Sequence, residues 1–243
     1  MTERSFDGSE LFARIARDLA EQADLRQTVE RITELAVGLT GCATAALWSL
    51  ASGDHANLQA CTDPVAARVL SRILHAIDQG PARTVLMRRE MVQVQDIETE
   101  TRWPRYLEAI TACDFAVRSV LGYPLLLADR QLGALMLYSP KPGYFTDELV
   151  QIGSVLAGHA AIAMDAATSA DKAHHLTLAL QSNRRIGMAV GILMALHRLD
   201  EGQAFDLLRV ASQHRHQKLR QVAEEVILTG AVPNWPIRQL SAG

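Results

Sequence analysis

The sequence predicts an α+β chain: an antiparallel sheet flanked by helices, a long helical linker, and a C-terminal bundle of three helices. Three observations predict it. Short apolar, strand-like runs bounded by turn residues recur between residues 43 and 138, interleaved with helical patterns. From Leu149 onward the apolar residues recur at helical spacing with no further strand-like run. The charge also changes along the chain. Residues 1–172 hold 16 Lys/Arg and 22 Asp/Glu, a net −6, whereas residues 173–231 hold 7 and 5, a net +2, together with 5 of the 8 histidines. An acidic front and a locally basic rear imply two modules, the rear one suited to a polyanion.

Composition narrows the class. In 243 residues, 49% hydrophobic and 21% charged, there is chain for one or two domains with a sizeable core, and a disordered or collagen-like chain is excluded. The longest apolar stretches are interrupted by His159, Asp165 or Arg198, which predicts that no helix spans a membrane. Met1 to Asp7 is polar and acidic, without the apolar core of a secretory signal. Cys42, Cys61 and Cys113 are spaced by 19 and 52 residues, which fits neither a disulfide framework nor a zinc pattern. A cytoplasmic protein is expected.

The elements follow in order. Ser9 is placed to cap a helix carrying Leu11, Phe12, Ile15 and Leu19, and a second helix runs through Leu25, Val29, Ile32, Leu35 and Ala36 to Gly41. Ala43 to Leu50 reads as a strand closed by a Ser52-Gly53-Asp54 turn, with Asn57 to Cys61 as its partner. Asp63-Pro64 opens a helix with Val65, Val69, Ile73 and Ile77 on one stripe, ended by Gly80-Pro81. Val92, Val94 and Ile97 form a short strand. Val117 to Leu127 and Leu132 to Tyr138 form a hairpin around Ala128-Asp129-Arg130-Gln131.

Thr146 is placed to cap a long helix through Leu149, Ile152, Leu156, Ile162, Ala163 and Ala166. The Ala-rich stretch from Met164 to Lys172 stays helical while belonging to neither core, and such a seam pairs readily with a second copy of itself. Leu176, Leu180, Ile186, Val190 and Leu193 continue the period. Asp200 caps a helix with Ala204, Leu208 and Ala211, and a third carries Leu219, Val222, Val226 and Ile227 to Gly230. The domains are thus expected at 9–166 and 173–231, joined by a linker at 167–172 and followed by a tail at 232–243.

Arg209 to Arg220 concentrates the chemistry. It holds Arg209, Arg215, Lys218 and Arg220 with Ser212, Gln213, His214 and His216, and no acid. Recognition of looped RNA needs cations for phosphate and polar groups for base edges, and this turn supplies both. Arg185 joins them from the preceding helix, beside the small residues Ala189 and Gly191. An ion pair of Arg185 or Arg209 with Asp206 or Glu201 is the competing role. Leu193, Met194, Phe205 and Leu208 are expected in the core.

Two stretches resemble known families. Gly80-Pro81-Ala82, Val94-Gln95-Asp96, Arg102-Trp103-Pro104, Val117 to Leu125, Gln131 to Ser139 and Pro142 to Glu148 occur in the order and spacing of the second half of a GAF domain. Residues 173–231 resemble an ANTAR domain through Arg184-Arg185-Ile186-Gly187, Gly191-Ile192-Leu193-Met194, Ala204-Phe205, Leu208-Arg209, Ser212-Gln213, Lys218-Leu219-Arg220 and Val222-Ala223. His216 stands where that family usually has Asn. The resemblance implies a bacterial sensor domain coupled to an RNA-binding transcription antitermination module. Its implied target is a tandem stem-loop, one per module, and hence a homodimer through the linker helix. The RNA-binding residues it points to are Arg185, Arg209, Ser212, Gln213, Arg215, His216, Lys218 and Arg220.

The remaining conspicuous residues carry less. Among Trp48, Trp103, Tyr106, Phe115 and Tyr123, the pair Trp103 and Tyr106 is the candidate for small-molecule ligand contact, because the Trp-Pro context reads as a polar loop over the sheet. Cys113 beside Asp114 reads as an inert thiol, and the histidine pairs lack metal-site spacing. With no phosphate loop, nucleophile elbow or paired carboxylates, no catalytic residue, metal site or cofactor is expected. A DNA-binding regulator is the alternative, but the basic residues cluster at a turn rather than along a recognition helix.

Overall fold

The computed structural model describes residues 8–50 and 56–232, with side chains from Ala13 onward. The chain divides into two compact units, Met1–Asp171 and Lys172–Gly243. In the first, α1 spans Gly8–Ala20, so Ser9 lies inside the helix rather than capping it. Helix α2 (Leu25–Thr40) is capped by the Asp24 carboxylate, which accepts from Gln27 N at 2.8 Å, and stops where Gly41 turns left-handed at φ 67°. Strands β1 (Thr44–Leu50) and β2 (Ala56–Cys61) pair antiparallel, and the expected turn at 52–54 lies outside the described residues.

Two helices appear where none was expected, both begun by proline. Helix α3 (Pro64–Ala76) ends before Gly80-Pro81, because Ile77 is already extended. Pro81 then occupies the first turn of α4 (Pro81–Arg88) instead of closing α3. After β3 (Val92–Val94), Ile97 falls in a short 3-10 turn, drawn out of the strand by Asp96, whose carboxylate accepts from Glu98 N at 3.1 Å. Pro104 opens α5 (Pro104–Thr111), so Trp103 and Tyr106 flank a helix start rather than a polar loop. Strands β4 (Ser119–Leu127) and β5 (Arg130–Ser139) meet through two residues, Ala128 and Asp129, because Leu127 already pairs with Arg130.

The five-stranded sheet has the order β2-β1-β5-β4-β3, with every recorded pairing antiparallel. Its period of two sorts side chains between two cores. Leu47, Leu121, Leu125, Leu135 and Leu137 face α1, α2 and the start of α6. Trp48, Val120, Ala134, Met136 and Tyr138 face α3, α4 and α5. Leu135 and Leu137 are fully buried, so truncating either to Ala costs about 2–5 kcal/mol.

Helix α6 runs unbroken from Asp147 to His197. Its first half buries Ile152, Leu156, Ala160, Ala161 and Met164 against the sheet, and Gly153 lets the Tyr123 ring approach where a Cβ would stand 2.6 Å from it. By length and composition alone α6 is apolar enough to cross a membrane, a property it shares with helices that pack in the core of a domain. Its first half does so here, with one side in the sheet core.

The second unit comprises the end of α6, α7 (Glu201–His214) and α8 (Leu219–Thr229) around Ala189, Val190, Leu193, Ala204, Leu208, Ala211, Val222 and Val226. Asp200 and Gln203 cap α7 reciprocally, at 2.8 and 3.1 Å, and Gly230 ends α8 at φ 73°. Two expected core residues lie at the surface, Met194 and Phe205, 37% and 41% exposed, and so do Leu176 and Leu180 of the helical stripe, at 62% and 61%. The helical period continues through them, but the α7 core stripe is made by Ala204, Leu207, Leu208 and Ala211, which turns Phe205 outward.

Candidate nucleic-acid interface

The turn between α7 and α8 is built from its own polar groups. Ser212 Oγ donates to the Gln217 carbonyl at 2.6 Å, and Gln217 N returns a bond to the Ser212 carbonyl at 3.1 Å. His216 N donates to the Gln213 carbonyl at 3.2 Å, and the His216 backbone is left-handed at φ 51°. Asn tolerates that conformation better than most residues with a Cβ, so the two residue types share a backbone reason to stand here. Ser212 therefore closes the turn, while Gln213 and His216 are exposed around it.

The arginines divide by partner. Arg185 on α6 reaches Glu224 on α8 at 2.6 Å, and Arg209 pairs with Asp206 one turn earlier at 2.9 Å. Arg215 binds both oxygens of Glu225 from a half-buried position. The ion pair expected to compete at Arg209 is thus formed, whereas Arg185 pairs with Glu224 rather than with Asp206 or Glu201. Lys218 and Arg220 are exposed and form no ion pair with a described residue. Lys218 precedes α8, where its backbone N–H donates to the Gln221 side chain at 3.1 Å.

Arg184 was not among the expected site residues. It is exposed next to Arg185 and forms no ion pair with a described residue. Neighbouring helical residues point about 100° apart, so only one of the two meets α8. The dipeptide Arg184-Arg185 carried that signal in the sequence.

The first unit holds the expected ligand contacts apart. Trp103 is 7% exposed and stacks under the Arg102 guanidinium, 4.3 Å from its ring centroid. Tyr106 is 4% exposed and lines a small cavity with Trp48, Leu70, Ile73, Gly80 and Tyr138, in which Trp103 has no part. Burial pushes the Tyr106 hydroxyl well above its usual range, and it pushes the Cys42 and Cys61 thiols up as well. Cys113, read as an inert thiol beside Asp114, accepts from Arg72 Nη2 at 3.1 Å.

Comparison with known proteins adds the following. The family model of the GAF domain matches residues 22–165, and that of the ANTAR domain matches residues 174–227. Among curated proteins no relative matches. The GAF domain of a Coxiella burnetii phosphoenolpyruvate-protein phosphotransferase superposes with a TM-score of 0.54 at 16% identity, covering 68% of this chain and 96% of that one. The Acinetobacter counterpart gives 0.52 at 14%, covering 68% and 96%. Free methionine-R-sulfoxide reductase from Neisseria meningitidis gives 0.52 at 16%, covering 67% and 90%. At these identities the structures are similar in fold.

Proposed function

The chain belongs to the GAF domain family and continues into a C-terminal ANTAR domain, and from that premise we propose that it is a non-enzymatic transcription antitermination regulator. In this reading the second unit binds stem-loop RNA in nascent transcripts, and the first receives a small-molecule signal. The observation that carries it is the surface beside the α7–α8 turn. Exposed Lys218 and Arg220 stand with no acidic residue between positions 209 and 220, next to the exposed amide of Gln213 and the imidazole of His216. Unpaired cations meet phosphate, and the neutral polar groups meet unpaired base edges.

Arg185, Arg209 and Arg215 act differently in this reading. Each is already engaged by a carboxylate of its own unit, so Arg215 holds the turn in shape, and Arg185 and Arg209 reach RNA only by exchanging partners. Ser212 contributes by fixing the turn. The active species is a homodimer through α6. On that helix the small or apolar residues Ala166, Ser169, Ala173, Leu176 and Leu180 recur every three or four residues and are all exposed, a seam suited to a second copy. A signal reaching the first unit changes RNA binding by altering the pairing of this seam.

The test is a titration of the full chain against a tandem stem-loop RNA at two salt concentrations, with loop-scrambled RNA and duplex DNA as competitors. Saturable binding that survives both competitors is expected. Equal affinity for all three nucleic acids, or preference for the duplex, would replace the RNA reading with a DNA-binding one.

A further inference from the structure

One polar side chain of the α7–α8 turn points inward and has nothing to bind. Gln217 Oε1 is enclosed by protein and accepts no hydrogen bond from a described residue. Around it Gln213, His214, His216 and Lys218 are exposed, while Arg215 and Gln217 are half-buried. Arg215 is satisfied by Glu225 through two bonds, of 2.7 and 3.1 Å. Gln217 is not. Its amide nitrogen bonds to no described residue either and is not enclosed, so the carboxamide lies with its oxygen inward and its nitrogen toward the surface.

A buried acceptor without a donor costs stability, and an apolar side chain of the same shape would avoid that cost. The backbone at this position is pinned. Ser212 Oγ donates to the Gln217 carbonyl at 2.6 Å, and Gln217 N donates to the Ser212 carbonyl at 3.1 Å. The amide is therefore released by rotation about its side-chain torsions, between staggered wells, with the turn left closed. Its chain neighbours on either side, His216 and Lys218, are both exposed, so an outward amide emerges on the surface proposed to meet RNA.

We infer that Gln217 reads one unpaired base of the bound RNA, with Oε1 accepting from the exocyclic amine of an adenine or cytosine and Nε2 donating to the ring nitrogen beside it. The orphaned atom is an acceptor, so the group that completes it must carry an N–H. Adenine and cytosine each present an amine next to an accepting ring nitrogen, and the two ends of a carboxamide match both at once. Phosphate offers no such donor, so Lys218 and Arg220 meet the backbone while Gln217 meets a base. The inference rests on the RNA reading of the second unit and adds to it a residue that selects the base.

The experiment compares the full chain with its Gln217→Met variant, which keeps the length of the side chain and removes the amide. Both are titrated with a tandem stem-loop RNA and with copies in which one loop adenine is replaced by purine, or one loop cytosine by 2-pyrimidinone, each lacking only the amine. Thermal unfolding is measured in parallel. Gln217→Met should unfold no lower than the parent and bind the unmodified RNA at least about fivefold more weakly. At one loop position, loss of the amine should weaken the parent by a similar factor and leave Gln217→Met unaffected. Unchanged RNA affinity in Gln217→Met overturns the inference, as does equal sensitivity of both proteins to the amine at every position. A lower unfolding temperature without an amine-specific loss assigns the amide to holding the turn, and also overturns it. If Gln217→Met does not fold, Gln217→Ala carries the same two RNA comparisons. Lys218→Ala separates the two readings. A parent that binds stem-loop RNA and weakens in Lys218→Ala, with Gln217→Met unchanged, removes the base contact and leaves the antitermination reading standing, whereas a parent that binds no stem-loop RNA removes both.

Discussion

Arg215 grips Glu225 at two points across the α7–α8 turn, with Nη1 to Oε2 at 2.7 Å and Nη2 to Oε1 at 3.1 Å. Both side chains are half-buried, and the two bonds tie the end of one helix to the second turn of the next. Arg215→Ala should destabilise the second unit by about 1–2 kcal/mol, since a partly buried carboxylate is left unpaired. Thermal unfolding of the full chain, set beside Glu225→Gln, checks this. Unchanged stability in both variants would return Arg215 to the pool of cations free for RNA.

Lys218 and Arg220 make the opposite prediction. Each is exposed and unpaired within the described unit, so Lys218→Ala and Arg220→Ala should leave stability within about 0.5 kcal/mol. RNA affinity should fall roughly threefold to tenfold in each, and the slope of log K against log salt should become shallower by about 0.7 per lost phosphate contact. Titrations at three salt concentrations read both quantities. An unchanged slope would place RNA elsewhere on the unit.

His216 tests the turn itself. At φ 51° a β-branched residue is strained, so His216→Val should cost about 1–2 kcal/mol, while His216→Asn should be tolerated. Loss of RNA affinity in a stably folded His216→Asn variant would show that the imidazole has a role beyond shaping the backbone.

Glu100 gives the first unit an acid-sensitive contact. Its carboxylate is held by the Arg102 guanidinium, at 2.6 Å from Nη2, which pulls it down to about 2 from 4.5. A carboxylate depressed on folding contributes stability that is complete above the unfolded value, and this is lost as pH falls from about 4.5 toward 2. Its share is about 2–3 kcal/mol. Glu100→Gln should therefore be less stable than the parent at pH 7, and the difference should shrink below pH 4. A difference independent of pH would assign the contact to packing alone.

The elements legible in advance were those whose signal is local. The Asp200 cap, the Gly41 and Gly230 stops, the β4–β5 pairing and the long α6 helix each follow from a few neighbouring residues acting through backbone geometry. Helices α4 and α5 were not legible, because Gly80-Pro81 and Trp103-Pro104 read equally as breaks, and proline at the first turn starts a helix as readily as it ends one. The basic turn was visible as a run of residues without acid. Which of its cations are free was not, because Glu224 and Glu225 lie on a separate helix and meet Arg185 and Arg215 only when α6, α7 and α8 pack.

The sequence by itself determined a sheet-and-helix front, a helical rear, the charge contrast between them and the place of the basic turn, since composition and periodicity along the chain suffice for these. Only the tertiary structure decided that Ser212 and Arg215 are spent on the turn, that Phe205 faces outward, and that Trp48 and Tyr106 share a cavity while Trp103 does not. Partnership is a property of distance in space. Residues 58 positions apart, as Trp48 and Tyr106 are, become neighbours only when strand and helix are brought together by burying the core between them.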